Sequence, residues 1–221
     1  AGPVSDLRFL PGGEKLATVG TDGMLRLWHA QEGTPVATLA SLEGEGEYAA
    51  WTPEGFYVGS ETAPEAVSVC LGLETYPLRP YGELLGRPEL VERKLAGKPM
   101  VGSLRDARYQ DAEVDRENEM IVHGPPPTVE IVSPGPGTVD EEEVAVTLLA
   151  RTQAHSILSV ELHVNGDLCM RRPDIESVEN GRRMSLKARL QPGENILSAT
   201  TVTTAGVYSE PAVLKLTYKP E

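Results

Sequence analysis

Two residues of this sequence have the types needed for a cysteine nucleophile and its base. His123 precedes Gly124, and Cys169 lies further along the chain after Asp167-Leu168. A histidine within hydrogen-bond reach of a thiol can generate the thiolate that attacks a peptide carbonyl. Here His123 abuts the triple proline 125–127, and Cys169 follows an Asn-Gly turn signal. We therefore interpret them as a linker histidine and a partly buried sandwich cysteine, with a His123/Cys169 peptidase dyad as the alternative.

Metal and phosphate chemistry find little support in the sequence. His155 and His163 have no third ligand at metal-site spacing. No Gly-Lys-Ser/Thr follows a predicted strand, so the glycines do not form a phosphate-binding loop. The acidic run 140–143 could bind Ca²⁺ or a basic partner, but a solvated approach to a strand is favoured. We expect no catalytic residue, no cofactor and no metal site.

Charged clusters provide the candidate partner-binding residues. The basic cluster flanks the loop 173–181 and consists of Arg171, Arg172, Arg182 and Arg183. The acidic cluster lies in residues 43–47 and consists of Glu43, Glu45 and Glu47. Local ion pairing and solubility explain such clusters without a partner, whereas docking to a surface of opposite charge is the functional interpretation.

The charge balance restricts the class of partner. The chain has 221 residues and a net charge of −13, from 20 Lys and Arg against 33 Asp and Glu, and residues 1–77 alone carry −8. This balance disfavours nucleic acid and anionic membranes, which both attract basic proteins. No apolar run approaches the roughly 18 residues of a membrane span. No signal peptide opens the chain, and the two cysteines, Cys70 and Cys169, are expected to be reduced and buried, so we expect a cytoplasmic protein.

The first 77 residues have the pattern of short antiparallel strands. Apolar and polar residues alternate with period two, and Thr21-Asp22-Gly23 has the composition of a tight hairpin turn. The predicted strands are 4–10, 15–20, 24–28 and 34–39. Four short strands in about forty residues match the period of one blade of a β-propeller.

The stretch from Phe9 to Trp28 closely resembles a WD repeat. The resemblance implies that the turn aspartate, Asp22, bonds across the blade and that the terminal tryptophan, Trp28, packs the hydrogen-bonded network together. Gly2-Pro3 stands where the family has Gly-His, so we do not expect the full network.

Residues 47–72 resemble a second, degenerate blade, with strand patterns in 48–60 and 67–71. Two blades cannot close a ring, because propellers need roughly four to eight. We therefore expect residues 1–77 to be the terminal blades of an incomplete ring. The remaining blades would belong to a longer polypeptide or to a separate chain.

Residues 78–126 are predicted to be a helical connector. A helix is predicted from Pro88 to Gly97, with proline in its first turn and apolar residues three and four apart. A second helix is predicted over 103–119, although its apolar stripe is thin. The triple proline then marks a boundary.

Residues 127–221 are predicted to be an immunoglobulin-like β-sandwich without a disulfide. Six alternating segments are separated by turn signals, including Asn165-Gly166. They are 128–132, 143–151, 158–164, 183–190, 195–202 and 213–218. The fold class predicted for the whole chain is mainly β.

The order of these parts resembles bacterial propeller proteins that are associated with caspase-like peptidases. The resemblance implies a non-catalytic interaction and scaffold module that positions or regulates such a peptidase. Its partner would be a caspase-like peptidase domain or the remaining propeller blades, on the same polypeptide or a separate chain. A secreted surface- or carbohydrate-binding sandwich is the other alternative, although eleven aromatic residues offer little for a sugar-binding platform.

Overall fold

The computed structural model describes residues 2–98, 100, 113–115, 120–122, 124–172, 177–178 and 181–220. The chain divides into two compact units, residues 1–123 and 124–221. Strands dominate both units, so the protein is mainly β, as the sequence predicts.

One antiparallel sheet dominates the first unit. Its six strands are neighbours in chain order, and each pairs with the next. They are β1 (Val4–Phe9), β2 (Lys15–Gly20), β3 (Met24–His29), β4 (Pro35–Ser41), β5 (Tyr48–Trp51) and β6 (Tyr57–Gly59). The predicted Asp-Gly turn joins β2 to β3, and Gly23 adopts a φ of +75° that glycine tolerates without steric cost.

The prediction of a separate second blade in residues 47–72 is wrong. β5 pairs antiparallel with β4, with Ala50 opposite Leu39, so that β5 and β6 extend the first sheet. The reason is the short turn 42–47, in which the Leu42 N–H donates to the Glu47 carbonyl at 2.9 Å and folds the chain directly back. The residues that the structure describes form no closed ring of sheets.

Short helices and a hairpin follow the sheet. They are α1 (Ala63–Ala66), the hairpin of β7 (Ser68–Leu71) and β8 (Glu74–Pro77), a 3₁₀ turn (Arg79–Tyr81), α2 (Gly82–Leu85) and α3 (Pro88–Leu95). α3 confirms the helix predicted from Pro88, and Gly97 lies just beyond its end with a φ of +68°. α3 packs against β4 and β6 and buries Leu90 and Val91.

The helix predicted over 103–119 is wrong where the structure describes it. β9 (Glu113–Asp115) pairs antiparallel with β10 (Met120–Val122), and the remainder of 103–119 lies outside the described residues. The thin apolar stripe gives this segment little apolar surface to bury as a helix, and most helical stability in proteins comes from such burial.

The second unit is a sandwich of two sheets. Its described residues form the strands β11 (Thr128–Ser133), β12 (Gly137–Val139), β13 (Glu143–Arg151), β14 (Ile157–Val164), β15 (Asp167–Arg172), β16 (Ser177–Val178), β17 (Gly181–Arg189), β18 (Gly193–Thr203) and β19 (Ala212–Tyr218). One sheet has the order β11-β13-β17-β16, and the other has the order β12-β19-β18-β14-β15. The core strands correspond to the A-B-E-D and G-F-C sheets of an immunoglobulin-like fold.

The sandwich core is built by strict alternation. Along β13 the side chains of Val144, Val146, Leu148 and Ala150 are buried, while the intervening residues are more exposed. The facing sheet contributes Leu162, Leu197, Ala199, Leu214 and Leu216 to the same cluster. This pattern explains why the period-two signal located the main strands of this unit correctly.

The prediction that both cysteines are buried is wrong, because Cys70 and Cys169 are both exposed free thiols. Cys70 lies on the two-stranded hairpin of β7 and β8. Cys169 lies on β15, an edge strand, and its Sγ donates to the Lys187 carbonyl at 3.5 Å. Strands at an edge or in a hairpin have fewer neighbours to cover them, so an apolar residue there need not be buried.

Candidate functional site

Asp22 organises the turn between β2 and β3. Its Oδ1 and Oδ2 accept bonds from both terminal nitrogens of Arg26, at 3.2 and 2.7 Å. The backbone N–H groups of Met24 and Gly2 also donate to it, at 3.2 and 3.4 Å. These donors, the Arg26 guanidinium first and the Met24 N–H second, hold the pKa of Asp22 well below its ordinary value.

Trp28 forms a separate cross-strand contact. Its indole Nε1–H donates to Thr18 Oγ1 at 2.9 Å, which ties β3 to β2. Asp22 and Trp28 therefore occupy one hairpin but bond to different partners, and the contact from Gly2 to Asp22 is a backbone contact. Both side chains therefore form hydrogen bonds that stabilise this sheet.

The first sheet leaves large apolar side chains in water on both faces. Leu7 and Phe9 lie on one face and are 52% and 65% exposed. Val19 and Leu39 lie on the opposite face, in one row across the strands, and are 39% and 41% exposed. β1 is an edge strand, and every one of its side chains is exposed.

The glutamates of the acidic cluster differ in their surroundings, since some face solvent and one is hydrogen-bonded within the unit. Glu43 and Glu45 are exposed in the turn between β4 and β5. Glu47 instead accepts a hydrogen bond from Thr62, and the hydroxyls of Ser60 and Thr62 hold its pKa below the ordinary value. Only the first two carboxylates of this cluster are therefore presented to a partner.

The basic cluster is likewise partly engaged within the sandwich. Arg171 bonds to Glu161 at 2.6 Å, and Arg183 is exposed on β17. Arg182 is half-buried and has interaction partners of its own. The backbone of Arg172 ends β15, while its side chain and most of the loop 173–181 lie outside the described residues.

The described residues leave the alternative His123/Cys169 pair untested. His123 lies outside the described residues, and Cys169 has its Sγ directed to a backbone carbonyl. His163 lies 3.5 Å from Glu161, and His155 lies in the loop before β14. Among the described residues no group of three or more His, Cys, Asp or Glu is arranged to hold a metal ion.

The acidic run 140–143 forms ion pairs with the neighbouring strand. Glu142 bonds to Arg189 at 2.7 Å, and Glu143 bonds to Lys187 at 2.6 Å. The carboxylates raise the pKa of both basic groups. These pairs leave two of the four acidic residues locally neutralised.

A hydrogen-bond network around the buried Asn195 in the second unit is not predicted by the sequence. Asn195 is fully buried at the start of β18; its Oδ1 accepts from the Gln191 N–H at 2.8 Å, and its Nδ2 donates to the Gln191 and Gly193 carbonyls. Asn165 Nδ2 also donates to Asn195 Oδ1, at 3.0 Å. The network pins the Asn165-Gly166 turn to β18. An asparagine next to a Pro-Gly turn predicts hydrogen bonds to nearby backbone only. The sequence therefore does not predict the contact of Asn195 with Asn165 in another hairpin.

A second buried polar contact holds α3 on the first unit. Glu54 is 3% exposed in the turn between β5 and β6, and its Oε1 accepts a bond from Lys94 Nζ on α3. Within the described residues, the other carboxylate oxygen of Glu54 and the Thr52 hydroxyl are buried without a hydrogen-bond partner.

In the described part of the chain, no helix has the length and apolar character that a bilayer crossing requires.

Comparisons with known proteins give partial structural similarity only. No family model and no curated protein matches the chain. Similar structures include the fibronectin(III)-like modules of Clostridium thermocellum CbhA, at 16% identity and a TM-score of 0.32, covering 42% of this chain and 98% of theirs. A PKD domain of an M14-like peptidase from a Thermoplasmatales archaeon matches at 13% identity and a TM-score of 0.33, covering 43% of this chain and 94% of that one. The CARDB domain of a Pyrococcus furiosus protein, in complex with di-metal ions, matches at 14% identity and a TM-score of 0.33, covering 44% of this chain and 98% of that one.

The assignment of the immunoglobulin-like sandwich rests on the strand order of the second unit itself.

Proposed function

We propose that this chain is a non-catalytic protein-interaction and scaffold module whose first sheet packs against β-structure of a partner. The observation that carries the proposal is the exposure of Leu7 and Phe9 on one face of the sheet and of Val19 and Leu39 on the other. A sheet normally buries at least one apolar face against a second layer. Covering a large apolar side chain contributes about 1.5–3 kcal/mol when burial is complete.

The net negative charge of residues 1–77 favours a partner of different sequence over a second copy of this sheet. Residues 1–77 carry a net charge of −8, and Glu43 and Glu45 are exposed at the tip of one hairpin. Two copies of such a surface repel each other, whereas a partner with basic residues around an apolar centre is attracted. The expected partner surface is therefore apolar in its middle and neutral to basic at its rim.

The resemblance to propeller proteins of the caspase-like peptidase group supplies the finer proposal. The partner is the remaining set of propeller blades or a caspase-like peptidase domain, on the same polypeptide or on a separate chain. In this arrangement the first unit docks onto the partner, and the module positions or regulates the peptidase.

Binding can be measured by immobilising the full chain and passing over it either purified caspase-like peptidase or purified blade-forming segments. Leu39→Asp and Phe9→Asp should each weaken binding by about tenfold or more, since each places a charge within an apolar contact. Val132→Asp is the matched control, because Val132 is 41% exposed on β11 in the second unit.

Two results would count against the proposal. Binding that is unchanged by both first-sheet variants removes the first sheet as the docking surface. Absence of binding to the peptidase together with retained binding to the blade-forming segments removes only the peptidase as a direct partner.

A further inference from the structure

We propose that the outward face of the five-stranded sheet in the second unit binds the same face of a second copy of this chain. This face belongs to β15, β14, β18 and β19 and lies opposite the sandwich core. It is independent of the first-sheet surface, because it lies in the other compact unit.

The centre of this outward face is apolar and exposed. Leu168, Ile196 and Val213 are 51%, 43% and 59% exposed, on three different strands. The strand registers place Leu168 opposite His163, His163 opposite Ser198, and Ser198 opposite Val213. One row of neighbouring side chains therefore crosses four strands, with Ile196 in the adjoining row.

Two ion pairs occupy opposite corners of the same face. Arg171 bonds to Glu161 at 2.6 Å at the β15 corner. Lys215 lies 3.7 Å from Glu194 at the β19 corner, with about two thirds of each side chain exposed. Each corner pairs one charge of each sign, although the Glu161 side chain is only 16% exposed. This face therefore lacks the strong acidity of residues 1–77.

A two-fold axis makes these corners complementary. If the axis lies in the interface, runs obliquely across the strands and passes close to Val213, it exchanges the two corners. Arg171 of one copy then faces Glu194 of the other, and Glu161 faces Lys215. The apolar centre meets itself, with Val213 near the axis, as an isologous interface requires. This self-complementarity of charge favours a second copy over a strongly acidic or basic partner.

Sedimentation velocity of the full chain over a concentration series tests the proposal. The wild-type chain should show reversible dimers, and Val213→Arg should raise the dissociation constant by about tenfold or more. Arg171→Glu and Glu194→Arg should each weaken the dimer by a smaller factor. The double variant Arg171→Glu/Glu194→Arg should regain part of that loss, because the swapped charges again face each other between copies.

The first sheet provides the control. Leu39→Asp should leave the dissociation constant unchanged, whereas a loss of dimers in that variant would assign the association to the first unit and overturn the proposal. A wild-type chain that stays monomeric throughout the series would overturn it as well, as would a Val213→Arg chain that dimerises like the wild type. Each result is independent of binding to the peptidase or the blades.

Discussion

At the scale of single residues, the buried side-chain amide of Asn195 joins two turns of the second unit. It bonds to both backbone groups of Gln191, to the Gly193 carbonyl and to the Asn165 amide. A buried backbone group that loses its partner costs about 1–3 kcal/mol. One side chain therefore fixes both the turn into β18 and the hairpin of β14 and β15.

Replacing Asn195 with alanine should lower the free energy of unfolding of the second unit by about 2–4 kcal/mol, because several buried polar groups lose their partners together. The loss can be measured by hydrogen–deuterium exchange of peptides from β13 and β18 across a urea series. Glu141→Ala is the matched control, since Glu141 is exposed in the same unit and its removal should change little. Equal unfolding of Asn195→Ala and wild type would show that the network contributes no stability.

The lowered pKa of Asp22 predicts that the first unit becomes less stable at acid pH. Its pKa is below the ordinary value in the folded chain because of Arg26 and the Met24 N–H. A depressed carboxyl pKa stabilises the fold above the unfolded-state pKa of about 4, and this stability is lost as the pH falls through the lower folded-state value. Asp22→Asn should therefore unfold more easily than wild type at neutral pH, and the difference should shrink below about pH 4.

Tryptophan fluorescence measures this effect in the first unit alone, because both tryptophans, Trp28 and Trp51, lie there. Asp6→Asn is the control, since Asp6 is an exposed acid on β1. A constant gap between Asp22→Asn and wild type from neutral pH down to about pH 2 would contradict the assignment of this stability to ionised Asp22.

Residue-level prediction from sequence succeeded where the signal is local. Asn165-Gly166 predicts a two-residue turn, and the structure has both residues at positive φ, 54° and 90°. Burial of Cys70 and Cys169 could not be predicted, because exposure depends on which strands become edges. The same limit applies to Asn195 and Asn165, which are 30 positions apart and meet only when β14 pairs with β18.

At the scale of elements, α3 is joined to the first unit by both apolar and ionic contacts. Leu90 and Val91 are buried, and Lys94 reaches the buried Glu54 in the turn between β5 and β6. The Lys94 side chain is 17% exposed and that of Glu54 is 4% exposed, so water shields this pair little. Removing one member of such a pair leaves the other as an uncompensated buried charge.

Lys94→Met should therefore destabilise the first unit by about 3 kcal/mol, as measured by urea unfolding followed by tryptophan fluorescence. The double variant Glu54→Gln/Lys94→Met should lose less than the single variant, because no charge remains buried. Arg93→Met is the comparison variant, because it also removes a cation from α3. A double variant as unstable as Lys94→Met would show that the pair does not act through charge.

Element prediction was accurate for long alternating strands and poor for short ones. β2 and β13 have the predicted bounds, and α3 begins at the predicted proline. β12 was missed, because Pro134-Gly135-Pro136-Gly137 predicts a turn and its strand forms only by parallel pairing with the distant β19. The pairing of β4 with β5 was also missed, since alternation defines strands but not their neighbours.

At the scale of the whole molecule, the two units differ in how completely they bury their apolar residues. The sandwich encloses a continuous core between its sheets, with Leu148, Leu162 and Leu197 fully buried. The six-stranded sheet of the first unit keeps Leu7, Phe9, Val19 and Leu39 in contact with water. We propose that this sheet, together with its acidic surface, is the docking element of an interaction module.

Hydrogen–deuterium exchange of the chain, alone and in complex with the purified caspase-like peptidase or blade-forming segments, tests whether this sheet is the docking element. We expect slower exchange of backbone amides in β1 and β4 in the complex, because a partner covers their exposed side chains and the free edge of β1. Amides in β13, at the core of the sandwich, should exchange at the same rate in both states. A saturated complex in which β1 and β4 exchange as in the free chain would show that the partner docks elsewhere.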